Sequence, residues 1–295
     1  MNIGGGEAAD QMVRMMLTGQ VFAIMSGTAS KEQVAAISKS ADTYLFDEKA
    51  GGYRLNTDFK EEKFDLGRMF GFAYGEKENG AVFSHMAIMY ANALYKRGFA
   101  REGYKVLHTL LNAAMKFENS RMYPGLPEYF DNEGRGLYAY LTGAASWYML
   151  TMITEVFGVR GKLGDMVIKP SLMPEEFDPA GNASVKLEFS GKKFELCYHK
   201  TECQSTEQNR IRSAVCDGTI PLDVTVQSIT PKNGAPAIVP PDTHTDEEWQ
   251  TLTMTETTSE IAIGLVLNSP GIWNPKYVEG DSVFLSSDTP IKIGT

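Results

Sequence analysis

The sequence predicts an α+β chain in which a helical first half, of the kind found in a layered helical barrel, precedes an antiparallel β-sandwich. Up to about residue 160, apolar residues recur with the period of an α-helix. Beyond about residue 180, short alternating segments are separated by Pro, Gly and Asn turns. The two patterns meet between residues 160 and 180, which predicts domains at 1–162 and 163–295.

The helices are predicted from apolar spacing together with signals at their ends. Ser30 is placed to cap a helix, and Gly98 and Gly158 are placed to end two others. The predicted helices are 11–25, 31–45, 81–96, 100–117 and 143–157. Several are apolar over more than one stripe and therefore need neighbours on both sides, as in a layered barrel. A stack of helical repeats is the structural alternative.

The second half is predicted to form short strands. The predicted strands are 165–170, 185–189, 193–199, 220–226, 251–257 and 261–267. The dipeptide Ser190-Gly191 separates two alternating segments and indicates a hairpin. Residues 236–241 are expected to be an extended connector.

Composition excludes several classes of function. The chain has 295 residues and a formal charge of −9, with no basic cluster, so nucleic acid is not an expected partner. It has no apolar run long enough to cross a membrane. The three cysteines are Cys197, Cys203 and Cys216; their odd number and spacing predict neither a disulfide framework nor a metal site, and favour the cytoplasm.

The segment 123–148 carries most of the functional information. Glu128, Tyr129 and Asp131 place carboxylates beside an aromatic ring, and a sugar offers hydroxyl edges to the first and C–H faces to the second. We therefore expect these three residues to bind substrate. The structural alternative is an aromatic-rich loop that Thr142 caps before a core helix.

An anion site is predicted at two helix starts. Thr142 and Gly143 open an apolar helix, whose first N–H groups are unpaired and lie at the positive end of the helix dipole. His85 lies near the start of another helix and can donate to a phosphate oxygen. The alternative for His85 is a core histidine bonded to a carbonyl. Arg135 is expected either to clamp phosphate or to pair with Glu133.

An ordered set of motifs resembles the family 94 glycoside phosphorylases. These motifs are KENGAVFSH (77–85), YPGLPEYF (123–130), GRG (134–136) and YLTGAASW (140–147). The resemblance covers most of residues 10–180. The family includes cellobiose and chitobiose phosphorylases, 1,2-β-oligoglucan phosphorylases and the phosphorylase-like part of cyclic β-1,2-glucan synthases. The form of the second motif looks closest to the β-1,2-glucan branch.

The resemblance implies a partial (α/α)6 barrel followed by a jelly-roll-like domain. It implies phosphorolysis of a β-linked gluco-oligosaccharide with inversion, giving an α-sugar 1-phosphate, with phosphate as co-substrate and no cofactor. His85 and the pair Thr142-Gly143 match the family's phosphate-binding residues. The family's glutamine before the Thr-Gly pair has no clear match, and its general acid, an aspartate upstream of the histidine motif, has none either.

Four hypotheses follow from these observations. The first is the C-terminal part of an inverting phosphorylase that lacks its acid and is nearly inactive alone, completed by a missing N-terminal half. The second is a non-catalytic module that binds carbohydrate or phosphate, and the third is an oligomerisation module, for instance a homodimer. The fourth is a hydrolase that uses water, but no residue is identified as its base.

Overall fold

In the computed structural model, the described residues are 12–123, 125–139, 143–162, 165–189 and 192–200, together with the backbone of the later strands. The chain divides into two compact units, Met1–Met152 and Ile153–Thr295. Helices dominate the first unit and antiparallel sheets the second, so the α+β prediction is confirmed in this coarser form. A boundary after residue 162 stays a prediction.

Six α-helices are described in the first unit. They are α1 (Leu17–Met25), α2 (Lys31–Tyr44), α3 (Ser84–Lys96), α4 (Ala100–Met115), α5 (Phe117–Ser120) and α6 (Gly143–Thr151). Most residues of α3 are buried, and α3 packs against α1, α4 and α6. A helix with neighbours on three sides matches the apolar stripes that its sequence shows.

Three predicted helix boundaries were wrong, two of them because the residues at the predicted helix start pair with another segment. The first helix begins at Leu17 because the residues before it pair with residues 55–57, through bonds that include Leu17 N to Leu55 O at 2.8 Å. The third begins at Ser84 because Val82–Phe83 is a strand. The last gives way after Thr151 to a π-helical turn, Met152–Val156.

The start of α2 is fixed by a capping box at Ser30. The Ser30 hydroxyl accepts from the N–H of Gln33 at 3.2 Å, and the Gln33 side chain accepts from the N–H of Ser30 at 2.8 Å. Ser30→Ala is therefore expected to lower the free energy of unfolding by about 1 kcal/mol. Urea denaturation should show no such loss for Ser40→Ala, inside the same helix, and an equal loss in both variants would contradict the role of the cap.

Two small sheets belong to the first unit. Strands β1 (Phe46–Asp47) and β2 (Gly52–Tyr53) form a hairpin. Strands β3 (Val82–Phe83), β4 (Tyr129–Phe130) and β5 (Gly136–Leu137) form an antiparallel sheet. This second sheet joins the segment before α3 to the segment before α6.

The second unit contains two larger sheets. Its strands are β6 (Val159–Lys162), β7 (Asp165–Ile168), β8 (Asn182–Phe189), β9 (Lys192–Lys200), β10 (Arg210–Ile211), β11 (Ser213–Cys216), β12 (Ile220–Thr225), β13 (Ser228–Pro231), β14 (Gln250–Thr255), β15 (Glu260–Asn268), β16 (Trp273–Glu279) and β17 (Ser282–Ser287). One sheet has the order β13-β12-β11-β14-β15-β9-β8, with β10 beside β15, and the other has the order β16-β17-β7-β6.

The predicted hairpin is present in the second unit, since β8 and β9 pair antiparallel from Asn182↔His199 to Phe189↔Lys192. The sheets are not wholly antiparallel, because β10 runs parallel to β15. The expected connector at 236–241 lies outside the described residues. A jelly-roll topology stays a prediction.

None of the described helices is long and apolar enough to span a bilayer.

Candidate functional site

The sheet β3–β4–β5 brings the two motif segments side by side. Phe83 pairs with Tyr129 across β3 and β4, and Tyr129 pairs with Leu137 across β4 and β5. The pairing continues past β3, because the N–H of Ser84 donates to the carbonyl of Glu128 at 2.9 Å. His85 therefore follows a residue whose backbone is bonded to Glu128.

His85 lies against the first residue of α6. A Cβ built on Gly143 would stand 2.2 Å from His85 Nδ1 and 2.4 Å from Cε1, which is much closer than atoms can approach. Because Gly143 has no side chain, the His85 imidazole can occupy this space. The structure thus brings together His85 and Gly143, which are far apart in sequence. Thr142, the partner of Gly143 in the predicted anion site, lies outside the described residues.

Two aromatic rings lie near the His85 ring, and one of its nitrogens has no hydrogen-bond partner among the described residues. The rings of Phe83 and Trp147 each lie 5.8 Å from it, centroid to centroid. Its Nε2 is buried and has no hydrogen-bond partner among the described residues. Buried polar atoms are nearly always paired, so such an atom beside a helix start indicates a ligand position.

The environment of His85 favours its neutral form. Burial lowers the pKa of the imidazole below its ordinary value, and the nearby Glu128 carboxylate opposes that shift only in part. A bound anion would favour the protonated ring and raise this pKa. Binding of an anion beside this ring would therefore be coupled to proton uptake by His85.

Tyr129 forms the aromatic part of the site. Its ring stacks on Phe83 at 4.6 Å with an interplanar angle of 16°, and Tyr138 meets it edge-on at 6.4 Å. Burial, with Glu78 and Glu128 adding their negative charge, raises the pKa of the Tyr129 phenol to about 12. Tyr129 therefore keeps its hydroxyl proton at neutral pH and can offer it to a hydroxyl or phosphate oxygen.

A mixed-charge cluster beside Tyr129 was missed as a site from sequence. Arg68 Nε donates to Glu78 Oε1 at 3.0 Å, and Glu78 Oε2 is buried with no hydrogen-bond partner among the described residues. The Lys77 ammonium lies 5.0 Å from the Tyr138 ring centroid and 5.2 Å from that of Phe72. The polar triplet at 77–79 was a signal for this cluster, but the contribution of Arg68 depends on tertiary packing.

Asp131 and Arg135 lie in a tight turn before β5. Asp131 Oδ1 accepts from the N–H of Glu133 at 2.8 Å and from that of Arg135 at 2.9 Å, so this carboxylate has a structural role whatever else it binds. The Arg135 side chain is exposed. Glu133, its alternative partner, forms an ion pair with Lys49 at 2.7 Å.

Substitutions at Asp131 can separate its structural role from ligand binding. Asp131→Ala removes the acceptor of two backbone N–H groups and is expected to lower the free energy of unfolding by about 1–2 kcal/mol. Asp131→Asn keeps an oxygen at the same place and should cost much less. Chemical denaturation of both variants checks this, and equal losses would show that the turn does not depend on the Oδ1 acceptor.

A separate cavity of about 690 Å³ lies between the 46–51 turn and the C-terminal half of α4. Its described lining includes Gly134, next to Arg135, but none of the candidate residues. Among the residues that the structure describes, no group of three or more His, Cys, Asp and Glu side chains is placed to hold a metal ion.

Comparison with known proteins bears on the same region. Residues 2–158, which contain every candidate site residue, match the family described as "Glycosyl hydrolase 94 superfamily, catalytic domain". A cellobionic acid phosphorylase of Neurospora crassa is 26% identical over 207 residues, covering 66% of this chain and 26% of that protein.

Two further relatives show the same partial coverage. An N,N'-diacetylchitobiose phosphorylase of Vibrio proteolyticus is 25% identical over 176 residues, 57% of this chain and 22% of the relative. A cyclic beta-(1,2)-glucan synthase of Rhizobium meliloti is 24% identical over 193 residues, 62% of this chain and 7% of the relative. The aligned part of the chain spans about a quarter or less of the length of these relatives.

Proposed function

This chain belongs to the glycosyl hydrolase 94 family, and from that premise we propose that it carries the phosphate-binding part of an inverting glycoside phosphorylase site. The observation that carries the proposal is the buried Nε2 of His85, beside the start of α6, which has no hydrogen-bond partner in the described part of the chain. In this proposal His85 donates to one phosphate oxygen, and the turn at Thr142 and Gly143 donates backbone N–H groups to others. Arg135 would add its guanidinium when the phosphate is bound.

The proposed reaction is an in-line displacement at the anomeric carbon of a β-glucoside. A phosphate oxygen attacks the face opposite the glycosidic bond, and the bond between that carbon and the glycosidic oxygen breaks. The glycosidic oxygen takes a proton from a general acid and leaves as a hydroxyl of the released sugar, and the other product is an α-sugar 1-phosphate. His85 would hold the nucleophile and stabilise its charge. Phosphate needs no basic carboxylate to activate it, which distinguishes this site from that of an inverting hydrolase.

The substrate side of the proposal rests on the carboxylates around Tyr129. Glu128, the Tyr129 hydroxyl and the second carboxylate oxygen of Asp131 would bind sugar hydroxyls. Glu78 joins this set because its buried Oε2 has no hydrogen-bond partner among the described residues. Arg68 Nε donates to Glu78 Oε1, and Oε2 would accept from a sugar hydroxyl. We propose that the general acid comes from outside this cluster.

The fold proposal is a partial (α/α)6 barrel. Its support is the central position of α3 among α1, α4 and α6, together with large apolar side chains exposed on three of these helices. These side chains are Phe22, Met115 and Met149. Further helices or a second copy of the chain would cover them, and sedimentation of the purified chain distinguishes a monomer from a homodimer.

The function is tested by separating binding from turnover. Isothermal calorimetry with inorganic phosphate is expected to detect a single site. Incubation with phosphate and either cellobiose or a β-1,2-gluco-oligosaccharide is expected to release sugar 1-phosphate very slowly, because general acid catalysis is typically worth about 10²–10⁴-fold. Rapid turnover would refute the absence of the acid, and failure to bind phosphate would refute the proposed site.

A further inference from the structure

Two buried side chains hold the backbone on both sides of Gly80, one bonding its N–H and the other its carbonyl. Asn56 Oδ1 accepts from the Gly80 N–H at 2.8 Å, and Arg54 Nη1 donates to the Gly80 carbonyl at 2.7 Å. Asn56 is 0% exposed and Arg54 is 8% exposed. Neither side chain can therefore reach a ligand in solvent, and both act on the chain that carries the site.

Asn56 and Arg54 also contact other residues near Gly80. Asn56 Nδ2 donates to Asn79 Oδ1 at 3.1 Å, so one amide bonds two consecutive residues of the motif. Arg54 Nη2 is ion-paired with Asp47 at 2.8 Å, and its guanidinium lies 5.6 Å from the Tyr74 ring centroid. These bonds fix the orientation of the two peptide groups that flank Gly80.

Gly80 lies in the chain between the charged cluster at Lys77 and Glu78 and the imidazole of His85. It has a left-handed backbone with φ of 80°, and a Cβ there would stand 2.3 Å from the Tyr74 ring. Lys77 and Glu78 precede it, and β3 and His85 follow it. A rotation of this peptide would therefore move the charged cluster and the imidazole relative to each other.

We propose that Asn56, supported by Arg54, is the positioning residue of the anion site, because it fixes the backbone at Gly80, which connects Glu78 to the segment that leads to His85. This inference rests on the proposed function, because the proposed function identifies the anion as phosphate. Asn56 contacts no reacting atom, so its effect passes through Gly80 and must appear as a change in the geometry at His85. The neighbouring backbone bond from Leu55 N to Ala81 O, at 3.0 Å, would survive the loss of the Asn56 side chain and keep the segment folded.

Calorimetry with inorganic phosphate provides the first test. Asn56→Ala is expected to weaken phosphate binding roughly tenfold or more, because a buried N–H is left unsatisfied and the peptide can reorient. Arg54→Lys keeps the charge beside Asp47 but loses the rigid fork, and should show a smaller loss in the same direction. The matched control is Arg97→Ala, which removes a guanidinium that bonds the carbonyls of Ile24 and Ala29 at the opposite end of α3.

A second measurement reports the position of the imidazole without phosphate. Nitrogen NMR titration can resolve His85, because the chain has only 4 histidines. In the wild type the pKa of His85 is expected below its ordinary value, and Glu128 is the charged group that acts on it. Asn56→Ala should move this pKa upward toward the ordinary value as the ring gains solvent, whereas Arg97→Ala should leave it unchanged.

Each outcome bears on the proposal. Unchanged phosphate affinity together with an unchanged His85 titration in folded Asn56→Ala would overturn it, and so would equal losses in Arg97→Ala. If Asn56→Ala does not fold by circular dichroism, the same two measurements on Arg54→Lys decide the question. If the wild type binds no phosphate, the proposed function fails, while the titration still decides whether Asn56 positions His85.

Discussion

Replacement of His85 by alanine is expected to weaken phosphate binding by roughly 10- to 100-fold. A hydrogen bond to a charged group contributes about 1.5–3 kcal/mol, and each 1.4 kcal/mol is tenfold in affinity. In this site the donor would be Nε2, the buried nitrogen that has no partner among the described residues. Its removal leaves the bound phosphate with backbone donors from the start of α6 and no imidazole.

The matched control for this prediction is His108→Ala. His108 is exposed on α4, where its ring stacks on Tyr104 at 5.1 Å, so the same substitution is made at a surface position of the same unit. Calorimetric titration of both variants with inorganic phosphate at neutral pH gives the comparison. Equal affinity in the wild type and His85→Ala would remove the imidazole from the proposed site.

The sign of the pH dependence follows from the direction of the His85 pKa shift. Burial lowers this pKa, so the free protein is mainly neutral at His85 near pH 7, whereas a bound anion favours the protonated ring. Binding is therefore coupled to proton uptake, and affinity should fall as pH rises from the pKa of His85 in the free protein toward its higher pKa in the complex. Sulfate is the probe of choice because its own charge is constant over this range, unlike that of phosphate.

Titrations with sulfate at several pH values therefore report the contribution of His85 to the pH dependence of binding. The wild type should bind sulfate most tightly at the acidic end of the range, and His85→Ala should lose most of that slope. A slope that persists in the variant would assign the titration to another group, with Glu128 the first to examine because its charge acts on His85.

The parts of the fold that local chemistry determines were predictable. Ser30 and Gln33 form the capping box that starts α2, and the alternation on both sides of Ser190-Gly191 corresponds to β8 and β9. The start of α1 was not predictable from periodicity, because the preceding residues satisfy their backbone groups with a segment some forty positions away, as Met15 N does with Thr57 Oγ1.

The site shows the same division between local and tertiary information. The pairing of His85 with Gly143 was expected from two helix starts, and the structure places them in contact. The role of Arg68 was not expected, since only folding brings it to Glu78. The turn-forming role of Asp131 was also missed, because a carboxylate in an aromatic segment is equally consistent with a ligand and with a backbone acceptor.

Gly143→Ala is the substitution for which we expect the second large effect, a loss of phosphate affinity comparable with that of His85→Ala. The new methyl group would stand 2.2 Å from His85 Nδ1, and contacts this short require one group to move. The rings of Phe83 and Trp147 each lie 5.8 Å from the imidazole, so a shifted His85 ring would also change its packing against these two side chains. Overpacking of this kind typically costs about 1–3 kcal/mol, which exceeds the gain from replacing glycine in a helix.

The chain offers a matched control and a decisive double variant for Gly143. Gly19 also lies in the first turn of a helix, but a Cβ there meets nothing within 4 Å, so Gly19→Ala should stabilise the fold by about 0.5–1 kcal/mol and leave phosphate binding unchanged. In the His85→Ala background the methyl group has space, and Gly143→Ala should then cost no further stability. Urea denaturation of the four members of this cycle measures the coupling. An undiminished cost in the His85→Ala background would mean that Gly143 is required for a reason other than contact with the imidazole.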